Sequence, residues 1–121
     1  MDDFSALSGH WQIVTAELAG EKMPELITHQ IELELGNGNY TVRFKGEVAD
    51  QGSYALGDPS GVQSLMLKGI SGTNAGRTIP AIYRFQGAQL QVCYGLDGSL
   101  PAIFASKAGS AHFLATYRRK P

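Results

Sequence analysis

The chain has a single cysteine, Cys93, so no disulfide can form within its 121 residues. No apolar run approaches the ~20 residues a helix needs to cross a bilayer, so no membrane span is expected. Charge is sparse and balanced: charged residues make up 17% and the formal net charge is −1. Without a basic patch there is no electrostatic footprint for nucleic acid or an anionic lipid surface. The opening Met1-Asp2-Asp3 lacks the basic and apolar regions of a secretory signal, so the expected compartment is the cytoplasm. A chain trimmed of its leader would read the same, which leaves export open. Histidines number three. His10, His29 and His112 share no ligand spacing with one another or with Cys93, so no metal or other cofactor is expected.

Helical periodicity is also scarce. Met23 to Thr28 is the one place where a short helical turn is plausible, with Pro24 suited to a first helical position. Elsewhere the apolar residues recur with a period of two, the strand signature. Strands are expected over roughly 9–18, 30–35, 40–45, 47–56, 62–68, 78–85, 89–94 and 110–120. The 15 glycines fall mostly between them, as turns require. Asn37-Gly38 between two alternating runs is the clearest hairpin, and Gly52 inside a strand signals a bulge or bend. About eight strands joined in sequence by short turns, with no crossover helices, predict a single all-β domain over 1–121. The expected architecture is a small up-and-down antiparallel β-barrel.

Gly9-x-Trp11 on the first strand, with Arg118-Arg119 near the end of the last, resembles the lipocalin and calycin pattern. That resemblance implies a lock at the closed end, with tryptophan across the barrel floor and an arginine packed on its indole. If Phe113, Ala115 and Tyr117 face inward, Arg119 continues that face. A longer ordered set is similar to a bacterial lipocalin-like domain family, common in planctomycetes, to which no reaction or ligand is attached. It runs through Leu7-Ser8-Gly9-His10-Trp11, Gly20, Tyr40-Thr41-Val42, Gly52-Ser53-Tyr54, Gly76-Arg77-Thr78, Leu90-Gln91-Val92-Cys93, Phe104-Ala105-Ser106 and Gly109-Ser110.

Candidate chemistry is thin. Gly69 to Thr78 has the look of a phosphate-binding loop, but the spacing fails and a strand follows instead of a helix. Cys93 is placed to meet His112 on the neighbouring strand, yet nothing signals the orienting group or oxyanion site that a nucleophile needs. Glu32 and Glu34 share a face, but alternate with Ile31, Leu33 and Leu35, which puts them in water. The chain is therefore not expected to be an enzyme.

The barrel interior remains. By alternation its lining should include Tyr40, Val42, Phe44, Tyr54, Leu67, Tyr83, Phe85, Val92, Tyr94 and Phe113, candidates to hold a small hydrophobic or amphipathic ligand. An eight-stranded barrel either encloses one small ligand or fills with side chains. The ligand would sit between that lining and the open-end loops, which include 69–77 and 95–109; in the filled case the same loops would present a surface to a protein partner.

Overall fold

A computed structural model describes residues 3–57 and 63–120. In chain order they form α1 (Asp3–Leu7), β1 (Gly9–Leu18), β2 (Glu21–Lys22), α2 (Glu25–Thr28), β3 (Ile31–Gly36), β4 (Asn39–Phe44), β5 (Glu47–Leu56), β6 (Ser64–Gly72), β7 (Thr78–Gln86), β8 (Gln89–Gly95) and β9 (His112–Arg119). Every strand from β3 to β9 pairs with its neighbour in sequence, and β9 returns to β1, so eight strands close a barrel. The two-residue β2 is an appendage that pairs only with the end of β1. Closure leaves the wall without a free long edge.

The turns follow from local chemistry. Asn37 and Gly38 have φ of 53° and 78°. Positive φ at both central residues is what a type I′ hairpin requires, because its twist matches that of the strands. Lys45-Gly46 makes the same turn in the next hairpin, with φ of 54° and 83°.

The two ends differ. At the closed end Trp11 is buried, and its Nε1–H donates to Leu7 O at 2.9 Å. The Arg119 guanidinium lies over the indole, 4.4 Å from the ring centroid. Its Nη1 donates to Ser8 O at 3.0 Å and its Nη2 to Ala6 O at 2.6 Å. One side chain thus covers the tryptophan and fastens α1 to the last strand. Arg118 and Arg119 are both exposed, and it is Arg119, paired with Trp11 in the ladder, whose guanidinium covers the indole and makes the lock. The open end carries the β1–β2 turn, α2, the Lys45-Gly46 turn, the 73–77 loop and the start of the 96–111 connection.

Several expectations need correction. α1 is a second short helix, at a place where none was expected; it docks through Leu7, which is fully buried against the barrel floor. The inward alternation of β1 slips at a bulge between Ile13 and Thr15, so Ala16 is buried instead of Thr15. β6 continues through Gly69–Gly72, which the sequence assigned to a loop. Val62, expected to open that strand, and most of the 57–61 turn lie outside the described residues.

β7 and β8 are buried on both faces because the 96–111 connection folds back along the outer wall. There Ile82, Cys93 and Leu114 form a second small core, packed against Phe104. Arg84 sits 4.3 Å from the Phe104 ring centroid, capping that core from the solvent side. Ser106 ties the connection down: its Oγ donates to His112 O at 2.8 Å and accepts from Gly20 N–H at 3.1 Å. The Phe104-Ala105-Ser106 segment is thus an external brace, and Pro101 of the same connection is buried.

Candidate functional site

The floor of the barrel is packed. Trp11, Tyr54, Leu65, Ala81, Tyr83, Leu90 and Val92 are all buried in one core. The upper half is not filled: a cavity of about 230 Å³ opens there, its wall supplied by all eight strands of the barrel. Apolar surface comes from Ile13, Leu33, Val42, Leu67, Ile79 and Phe113. Leu96, Ile31, Thr73 and Asn74 complete the lining. For scale, an apolar engineered cavity of about 150 Å³ takes up benzene.

Of the residues expected to line a ligand site, Tyr40, Val42, Leu67, Tyr94 and Phe113 line this cavity. Tyr54, Tyr83 and Val92 face inward but are spent on the packed floor, so they do not. Phe44 and Phe85 stand at opposite rims, 37% and 36% exposed, because Phe44 is the last residue of its strand and Phe85 the last but one. Ile31, Leu33, Ile79 and Asp50 also line it and were not among the lining residues expected, whereas Asn74 comes from the 69–77 loop expected at the open end. For Asp50 the signal was there: Tyr54, Gly52 and Asp50 fall on one face of β5 by period two, and all three are buried.

Polar chemistry is concentrated in two places. The first is Asp50, 6% exposed. Its Oδ2 accepts from Asn74 Nδ2 at 2.7 Å and from the Tyr40 hydroxyl at 3.3 Å, while Oδ1 accepts from Asn74 N–H at 3.2 Å. Asn74 Oδ1 in turn accepts from Arg77, whose other nitrogen donates to Leu96 O, so the two open-end loops are laced together. The second is the Tyr94–Tyr117 pair, whose hydroxyls share a 2.8 Å hydrogen bond. Tyr94 also stacks on Phe113, with centroids 5.8 Å apart.

Burial governs how these phenols titrate. Desolvation first, and the charge of Asp50 second, push Tyr40 up to about 12. Burial takes Tyr94 to about 12, against the opposing hydrogen bond from Tyr117, and raises Tyr117 well above its usual 10. A phenol that holds its proton better when folded contributes stability that is fully present below the unfolded pKa of 10. That contribution is lost as pH rises through the folded value. Alkaline titration should therefore show the tyrosinate absorbance of Tyr40, Tyr94 and Tyr117 appearing together with loss of the sheet signal, between pH 10 and about 12. All five tyrosines ionising near pH 10 with the sheet intact would contradict this burial.

The other candidates are dispersed. Cys93 faces the outer core opposite Leu114, two residues along the ladder from the Gly95–His112 pair. Its thiol points at Ala105 O, 3.6 Å away, and burial raises its pKa, the reverse of what activates a nucleophile. Glu32 and Glu34 pair on the outside with Lys120 at 2.6 Å and Arg43 at 2.7 Å, and Arg43's hydrogen bond lowers the Glu34 pKa. Among the described residues no three of His, Cys, Asp or Glu converge to hold a metal. Likewise no helix among them is long and apolar enough to cross a membrane. What the site offers is an apolar enclosure with a buried acceptor on one side and a phenol pair on the other.

No known family, no curated protein and no solved structure matches this chain.

Proposed function

We propose that this protein is a non-catalytic, lipocalin-like binder of a small hydrophobic or amphipathic molecule, held in the open half of its barrel. The observation that carries the reading is the division of the interior into a packed floor and a cavity of about 230 Å³. A barrel whose purpose is a rigid scaffold has no need of that space, because cavities cost packing energy. The volume lies below the ~300–1,000 Å³ of drug-sized sites, so the ligand body is a single ring or a short chain. The resemblance of Gly9-x-Trp11 and Arg119 to the lipocalin lock supports the same assignment, since it seals the far end and leaves this one open.

Titration with an environment-sensitive dye tests it. Saturable one-to-one binding is expected, displaced by monocyclic aromatic compounds more readily than by long-chain fatty acids. Absence of saturable binding would overturn the proposal. The second reading, a docking module for a protein partner, draws on Leu26 and Ile27 of α2, which are 82% and 40% exposed beside the open end. Exchange of both for serine should leave dye binding unchanged if the cavity is the site.

A further inference from the structure

Asp50 is the one carboxylate among the described residues that line the cavity, and no lysine, arginine or histidine is among them. Three donors meet it, and all are neutral: the Asn74 amide N–H, the Asn74 side-chain amide and the Tyr40 hydroxyl. No lysine, arginine or histidine among the described residues forms an ion pair with it. Arg77, the cation of this network, is separated from the carboxylate by the Asn74 side chain. Buried carboxylates are ordinarily paired with a cation, because hydrogen bonds from neutral groups offset only part of the lost hydration.

The surroundings of this unmatched charge favour a cation. A carboxylate has about four lone-pair sites, and the three donors leave one on Oδ1. Tyr40, having donated its proton, keeps lone pairs that can accept an N–H. The rings of Tyr40, Tyr94, Tyr117 and Phe113 line the same space, and aromatic faces attract cations most strongly where water is excluded. Leu33, Leu67 and Ile79 in the same wall offer only hydrocarbon.

We propose that the cavity takes a small protonated amine on an aromatic or aliphatic body, with its ammonium group against Asp50 and its body among Leu33, Leu67, Ile79 and Phe113. This deepens the binding function proposed above and rests on it. Asp50 also anchors Asn74, so its substitution has to be read against a ligand that does not need the charge.

Calorimetric titration of the intact chain with 2-phenylethylamine and with its neutral isostere 2-phenylethanol separates the possibilities. The wild-type protein should bind the amine about tenfold more tightly or better, the gain of a charge-assisted hydrogen bond over a neutral one. Asp50→Asn should abolish that preference while leaving the alcohol within about threefold of its wild-type affinity. Equal binding of amine and alcohol to the wild-type chain, or preference for the alcohol, would overturn the amine assignment and leave the cavity as a neutral site. Binding of neither would overturn both this assignment and the ligand-binding function. If Asp50→Asn does not fold, the wild-type comparison decides alone.

Discussion

Trp11→Ala is expected to destabilise the fold by about 3–5 kcal/mol, the range for truncating a buried aromatic. Three losses coincide at this position. The indole is 1% exposed, so its whole area returns as a cavity in the barrel floor. Leu7 O loses the donor that satisfies it at 2.9 Å. Arg119 loses the ring it covers at 4.4 Å, and with it part of its hold on α1. A denaturant midpoint falling with little change of slope would report that loss of stability. Trp11→Phe, which keeps most of the volume but not the N–H, should lie between the two. A loss under about 1 kcal/mol for Trp11→Ala would mean the floor is not organised around this residue.

Gly52→Ala is expected to cost about 3 kcal/mol, at the upper end of overpacking effects. A Cβ at Gly52 would lie 2.0 Å from Lys68 O on β6 and 2.7 Å from the Tyr40 ring on β4. The first of these is backbone, so strand β5 has to move. The β5–β6 register already shifts between Gln51 and Gly52, and the glycine lets the neighbouring strand close over that irregularity. Gly36→Ala is the matched control. It meets nothing within 4 Å and has no positive φ, so its effect should stay within about 0.5 kcal/mol. Similar thermal stabilities for the two variants would contradict the close approach at Gly52. Because Tyr40 and Asp50 flank it, Gly52→Ala should also weaken ligand binding in any fraction that remains folded.

The barrel was legible because its signals are local. Period two, the Asn37-Gly38 turn and the bulge glycine at 52 are each set by a few neighbouring residues, and all three have counterparts in the structure. The β1 bulge was hidden because Val14, Thr15 and Ala16 fit an alternating pattern in either register. α1 was hidden for another reason. Five residues make too little helix to stand alone, so it exists through Leu7 docking and Arg119 bonding, both tertiary events.

The cavity was the least legible part. Alternation says which residues face inward but not how far each reaches or at what height it sits. Tyr54 and Tyr83 fill the floor, Phe44 and Phe85 project at the rims, and the space between is left to shorter side chains and the rings of Tyr94 and Phe113. Asp50 went unnoticed because an acid on an inward position runs against the polar-outside rule, although Gly52 and Tyr54 on the same face pointed to it. That conflict between pattern and residue type is the kind that marks a site.

The most direct test of the account is amide chemical-shift mapping with saturating 2-phenylethanol, a probe that does not depend on the amine assignment. Shifts should concentrate at Leu33, Val42, Leu67, Ile79, Asn74 and Phe113, and Trp11, Leu7 and Leu90 at the closed end should stay in place. Shifts confined to the outer wall around Phe104, or none at saturating probe, would show that the open half of the barrel is not a binding site.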